Sequence, residues 1–399
     1  MTEVKIPLVK DTISHEDMDA LADWIKTYPR LTKGPETNEF EKEWSEWLGT
    51  KYSVFCNSGS SANLLMLYAL IVAKRLNNKK IVVPALAWAT DLAPVMQLGL
   101  EPIICDCNGQ NLAVDLNDLE RIFQKDNPSA LMLVSVLGIP PNMDEIIVLC
   151  KKYGVILLED ACESLGSEYK GNKLGTFGSM STFSLYFGHH LSTIEGGMVC
   201  TDDEELYEIL KSIRSHGWDR DASEEYRKKW RDKWDVDDFN GLYTFYHPGF
   251  NLRATDLQAF IGRRQIKKAD EVSKIRAANF QKYQELISDH SAWKPEPPEG
   301  AFVSNFCYPV LHAKRKEIVT DLIANGVETR PMICGSMSTQ PFYVDKYGRK
   351  ELYTAKQIDD YGFYVPNNDK MTDEDIQTVC NIINKHTVNP EVEPQENNQ

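Results

Sequence analysis

The sequence predicts an α/β protein: a mainly parallel, mixed sheet covered by helices on both faces, followed by a smaller C-terminal α+β unit. Three observations lead there. Short apolar, β-rich runs alternate with segments of helical period, the pattern of a sheet buried on both faces. Polar groups that could hold a ligand follow directly on such runs, at the carboxyl edge where open α/β sheets gather them. The 399 residues suffice for a large core and a second, smaller one.

In chain order, the runs at 52–56, 80–83, 102–106, 130–135, 154–158, 182–185 and 198–201 are expected to be strands, each short and rich in Val, Ile, Leu, Met or Phe. The stretches 63–75 and 142–153 carry helical spacing between them. Asn-Leu-Arg-Ala-Thr-Asp from Asn251 opens what is expected to be one long helix reaching 287 and bridging to the C-terminal unit. The division is therefore 1–265 for a large ligand-binding domain and 266–386 for a small one. The residues 387–399 lack apolar periodicity and are expected to be disordered. Segment 220–240, rich in charge and Trp, reads as an insertion, and no internal repeat is present.

Composition narrows the function. With 59 acidic against 44 basic residues the net charge is −15, contrary to a nucleic-acid surface, which needs clustered Lys and Arg. The longest apolar stretch, 64–73, is too short to cross a bilayer, and the start lacks a basic segment leading into an apolar one, so no membrane association and a cytoplasmic location are expected. Nine cysteines scattered through apolar segments read as reduced thiols. Cys105 and Cys107 end a strand, where their side chains are expected to share one face. The next cysteine is Cys150, so a local four-thiolate set is missing and no iron–sulfur cluster is expected.

Several segments carry chemistry. Asn57-Ser-Gly-Ser-Ser-Ala-Asn63 follows a strand and opens a helix; Gly59 permits a tight turn, and the amides of Ser60 and Ser61 can face an anion, although an ordinary helix cap accounts for the same residues. Trp88 stands just past a strand end, as a ligand-stacking ring or a core residue. Glu159 and Asp160 close a buried-looking strand. His189 and His190, with His216 and His247, lack the spacing of a zinc set, and no metal is expected.

The fourteen residues Ser184-Leu-Tyr-Phe-Gly-His-His-Leu-Ser-Thr-Ile-Glu-Gly-Gly197 resemble the signature of the DegT/DnrJ/EryC1/StrS sugar aminotransferases, in which Ser-Phe-x-x-x-Lys-Asn leads into Glu-Gly-Gly. The resemblance implies the type I fold of pyridoxal-phosphate-dependent aspartate aminotransferase. Six residues before Glu195, where the cofactor-binding lysine is expected, stands His189. A lysine there anchors the cofactor covalently and shuttles a proton; a histidine does only the second. That exchange marks a small branch, the nucleotide-sugar 3-dehydratases, in which the cofactor is bound non-covalently and acts as pyridoxamine phosphate.

Carried over residue by residue, the resemblance implies His189 as acid and base, Trp88 stacking on the cofactor ring, Asp160 pairing with the ring nitrogen, and Gly59, Ser60, Ser61 and Ser184 around the phosphate. Glu163 stands where many relatives have Gln, a departure that favours the dehydratase branch. Asn251 matches a residue supplied across a dimer interface, which implies a homodimer with shared sites. His216, Arg214, Arg220, Arg253 and Arg330 are candidates for contacts to sugar, diphosphate or glutamate. The implied substrate is a nucleoside-diphosphate 4-keto-6-deoxy hexose, of the GDP-mannose series, and L-glutamate is implied to restore the amine form of the cofactor. Two alternatives stay open: an aminotransferase that has recruited another lysine, such as Lys173, and a non-catalytic cofactor-binding homologue.

Overall fold

The computed structural model describes residues 3–387. Seven strands form the central sheet in the order Tyr52–Cys56, Gly197–Thr201, Met180–Ser184, Ile156–Asp160, Ala130–Val134, Lys80–Pro84, Glu101–Cys105. Gly197–Thr201 runs antiparallel to both neighbours; the remaining pairings are parallel. Every residue of Ala130–Val134, Met180–Ser184 and Gly197–Thr201 is buried, as their unbroken apolar runs require. Each such Leu, Val or Phe contributes about 1.5–3 kcal/mol through the surface it removes from water.

The sequence placed all seven strands, with shifts at their ends. The largest is at 154–158, where the strand is Ile156–Asp160: Gly154, at φ +66°, closes the preceding helix Met143–Tyr153 in the left-handed conformation that glycine adopts without penalty. The helix expected at 63–75 is Gly59–Val72, capped by Ser58, whose Oγ accepts the Ser61 N–H. The expected single helix over 251–287 is corrected. Asn251–Thr255 is extended, with bridges from Asn251 to Ser215 and Arg253 to Cys56, and a capping box at Thr255 and Gln258 starts the helix Asp256–Gln265. A 3₁₀ turn, Ile266–Lys268, then leads to Ala269–Leu286.

The 220–240 segment folds as the helix Glu224–Trp234, held down by buried Trp230 and by an Arg231–Asp219 pair at 2.8 Å. Beyond Ala269–Leu286, a three-stranded antiparallel sheet of Tyr308–Leu311, Gly362–Val365 and Arg330–Pro331 carries the helices Arg315–Ala324 and Asp373–Asn384. The chain start joins this unit: Ile6 bridges to Val327, and the Leu8 N–H donates to Glu328 at 2.9 Å. Cys105 and Cys107 do not share a face; the strand ends at Cys105, and the two thiols enter different apolar clusters. Of the tail expected to be disordered, residues 388–399 lie outside the described residues. Among the described residues, no helix is long and apolar enough to cross a membrane.

Candidate active site

A cavity of about 590 Å³ opens at the carboxyl ends of the parallel strands, closed on one side by the C-terminal unit. Its floor is built by strand alternation. Asp160, the last residue of Ile156–Asp160, faces the cavity, while Glu159 points the other way and accepts the N–H groups of Gly175, Phe177 and Gly178 at 2.6–2.8 Å. Glu159 thus fastens a turn, and Asp160 is left for the site. Asp160 Oδ1 accepts the Cys162 N–H at 2.8 Å, and Oδ2 accepts the Asn63 side-chain amide at 2.6 Å. Thr182 Oγ1 donates to Asn63 Oδ1 at 2.6 Å and so fixes which end of that amide meets the acid.

At one corner the helix Gly59–Val72 begins against Ser184. A Cβ on Gly59 would lie 2.6 Å from Ser184 Cβ, and one on Gly197 would lie 2.2 Å from the Ser58 carbonyl oxygen. Glycine at both positions lets two strand ends and a helix start close on one spot, which gives the Glu-Gly-Gly motif a steric reason. The Gly59 and Ser60 N–H groups have no partner among the described residues, so they and the Ser184 hydroxyl are available to an anion. Ser61 is corrected: its N–H is donated to Ser58 Oγ at 3.1 Å, and it belongs to the cap.

His189 lies in the cavity wall, its N–H bonded to the Tyr186 carbonyl at 2.9 Å and its ring 5.2 Å from that of Phe306. Nδ1 is buried with no hydrogen-bond partner among the described residues. Burial pulls the imidazole pKa down to about 4; the Asp160 charge opposes the shift, and the Arg276 charge adds to it. The ring is therefore neutral at pH 7. His190, by contrast, is wholly buried and bonded through Nε2 to the Ser304 carbonyl at 2.9 Å, a packing role.

Glu163 also lines the cavity. Its Oε2 accepts the Leu137 N–H at 2.7 Å, and burial pushes its pKa up to about 7. Leu137 sits at φ +52°, a conformation a branched side chain adopts at a cost of about 1–3 kcal/mol, so this amide is held toward Glu163 against local preference. Trp88 is 54% exposed and lines the cavity mouth, so it is not a core residue.

Arg330 lines the same cavity, with its guanidinium on Glu328 at 2.5 Å. Asn251, Arg253, His216 and Arg220 are gathered elsewhere, around Trp218: Arg253 bonds Asn251 Oδ1 at 3.0 Å, and the Arg220 guanidinium lies 3.9 Å from the Trp218 ring centroid. Within one chain they do not reach the cavity. Arg214 is wholly buried against Glu41 and the Phe55 carbonyl, which corrects its candidacy for substrate contact. Lys173 is corrected too, since it donates to the Trp47 carbonyl at 2.7 Å and packs over the Trp47 ring; among the described residues no lysine lines the cavity.

Sequence reasoning missed Asn63, Asp91 and Phe306. Asp91 is wholly buried at the floor, in reach of Asn63, and accepts the Trp88 N–H at 3.2 Å. An Asp three residues into a helix reads as a solvent-facing cap, so nothing in the local sequence marked it.

Comparison with known proteins agrees with this geometry. The family model for the DegT/DnrJ/EryC1/StrS aminotransferase family matches residues 11–384. GDP-4-keto-6-deoxy-D-mannose 3-dehydratase from Yersinia pseudotuberculosis is 33% identical over 395 residues, 96% of this chain and 99% of the relative. The solved structure of the Escherichia coli GDP-4-keto-6-deoxy-D-mannose-3-dehydratase with bound hydrated PLP superposes with a TM-score of 0.88 at 30% identity, covering 96% of this chain and all of that one. A structure of such a dehydratase with a trapped PLP-glutamate geminal diamine gives 0.87 at 30% identity, covering 95% and 100%. With the signature residues gathered in one cavity and a match along nearly the whole chain, this protein belongs to the DegT/DnrJ/EryC1/StrS aminotransferase family.

Proposed function

We propose that this chain is a nucleotide-sugar 3-dehydratase, which removes the C3 hydroxyl of a 4-keto-6-deoxy hexose carried on a nucleoside diphosphate, with GDP-4-keto-6-deoxy-D-mannose the favoured substrate. One observation carries the reading: where the family's aminotransferase signature has a cofactor-binding lysine, the cavity of this chain offers His189 and, among the described residues, no lysine. The residues fit pyridoxal or pyridoxamine phosphate held without a covalent bond. An anion corner and a buried carboxylate lie at different parts of the cavity, and an exposed indole stands at its mouth.

When bound, pyridoxamine phosphate supplies a primary amine and an electron-accepting ring. Ser184 and the amides of Gly59 and Ser60 bind the phosphate. Asp160, held by Asn63 and Cys162, keeps a proton on the ring nitrogen. Trp88 covers the ring, and Glu163, held by the Leu137 N–H, lines the same cavity. His189, neutral at pH 7 and in the cavity wall, takes up and returns a proton as the C3 hydroxyl leaves as water. The net products are a 3-deoxy-4-keto sugar and ammonia, and L-glutamate, becoming 2-oxoglutarate, recharges the site.

Residues 1–265 are read as the cofactor-binding domain and 266–386 as the small domain, to which Ile6 and Leu8 also attach. Two copies are proposed to share their sites. The exposed Tyr186, Phe187 and Ile194 near His189, and Leu242, Tyr243 and Phe245 near Trp218, offer apolar surface for such a dimer, and Asn251, Arg220, Arg253 and His216 would then serve the neighbouring cavity.

Borohydride reduction of the PLP-loaded protein, followed by intact-mass measurement, tests the reading. Unmodified chain from the native sequence and a covalent adduct from His189→Lys are expected. An adduct on the native chain would restore an aminotransferase with a recruited lysine.

A further inference from the structure

Two carboxylates lie under the cavity with a single amide between them. Asp91 is wholly buried and Asp160 is 5% exposed. The Asn63 side-chain nitrogen stands 2.6 Å from Asp160 Oδ2 and 3.5 Å from Asp91 Oδ1, while its oxygen is occupied by Thr182. Among the described residues, neither acid has a lysine or arginine partner. Asp91 receives only the Trp88 N–H and the long Asn63 contact, and Asp160 receives the Asn63 amide and the Cys162 N–H. The ionisable neighbours on the surrounding elements are Glu163, Cys162, Cys334 and His189, none of them a fixed cation.

Two like charges this close, with water excluded, cannot both be held; one proton must reside on the pair. The hydrogen-bond pattern decides where. Asp160 is met by two short N–H donors, which stabilise an anion, whereas Asp91 is met by weaker ones. We propose that Asp91 is the proton-holding partner of Asp160: a positioning residue, neutral in the working protein, whose carboxyl O–H donates to Asp160 and fixes it beneath the ring nitrogen of the cofactor. Burial, together with the charge and hydrogen bond of Asp160, pushes Asp91 well above the usual carboxylate range, in agreement. The inference rests on the proposed role of Asp160 as the ring acid. Its consequence is that the site keeps a single anion opposite the ring, and the second acid serves as a fixed hydrogen-bond donor.

The test uses the full chain. Infrared spectroscopy of the cofactor-free protein carrying Glu163→Gln, which removes the neighbouring carboxyl that burial leaves partly protonated at pH 7, should show at that pH the carbonyl band of a buried protonated carboxyl. In that background the band should vanish when Asp91→Asn is added and persist when Asp160→Asn is added. In equilibrium dialysis with pyridoxal phosphate, Asp91→Asn, which keeps a neutral donor, should bind within about twofold of the native protein, while Asp91→Leu should lose about tenfold through the missing bond. A band that survives Asp91→Asn, or an Asp91→Asn loss as large as that of Asp160→Asn, overturns the proposal. If Asp91→Leu does not fold, the band and the Asp91→Asn affinity decide alone. An Asp160→Asn protein that binds the cofactor normally would instead sink the ring-acid role, while the band still reports which acid holds the proton.

Discussion

The cavity floor and the Trp218 face both gather polar and charged side chains, acids on the floor and arginines with a histidine around Trp218, in opposite physical states. On the floor, Asp160, Asn63, Thr182 and Asp91 are buried and hold one another at short range on strand ends and helix starts. Around Trp218, Arg220 and Arg253 lie against the exposed edge of the molecule, bonded to a carbonyl, an amide oxygen and ring faces, with no carboxylate among the described residues paired to either. Water screens the second group and not the first. The floor is therefore closed by its own hydrogen bonds within one chain, while the outer face presents its cations to solvent.

That contrast can be broken from either side. The largest effect is expected at His189: His189→Ala should lower dehydratase kcat by about 100- to 10,000-fold, the range for losing a general acid–base group, while the cofactor still binds. Steady-state kinetics with dialysis separate the two. Acid offers a subtler probe of the same residue. His189 binds a proton less tightly folded, at about 4, than its ordinary value of 6.5, so its share of stability is full above pH 6.5 and is lost as pH falls toward 4. The shift is equivalent to about 3 kcal/mol at most. Urea unfolding at the two pH values should show His189→Asn losing correspondingly less stability than the native chain.

Gly59→Ala should cost about 1–3 kcal/mol of stability, because the new methyl meets Ser184, and should weaken cofactor binding at the phosphate corner. The smallest effect sharpens the outer half of the comparison. Arg253→Ala should raise KM for the nucleotide sugar about tenfold, the value of one charge-assisted bond, and leave cofactor affinity unchanged. If it weakened cofactor binding instead, the division of labour drawn here would fail.

What could be read from sequence follows the same line. Strands buried on both faces announced themselves as apolar runs, and His189, Ser184, Gly59 and Asp160 were legible because a motif ties each to its neighbours along the chain. The break of the expected 251–287 helix was not legible as such, since Asn251–Thr255 is drawn into extended bridges by distant partners, Ser215, Cys56 and Thr32. Asn63 and Asp91 escaped for a related reason. They meet Asp160 only where two helix starts converge on one strand end, a proximity no local pattern encodes.

The central claim, that a histidine in the lysine position directs this cavity to dehydration, is tested most directly by product mass. The native protein is incubated with pyridoxal phosphate, L-glutamate and GDP-4-keto-6-deoxy-D-mannose. A sugar product lighter by one oxygen atom, formed only with glutamate and accompanied by ammonia and 2-oxoglutarate, is the expected result. A 4-amino sugar from the native protein would contradict it.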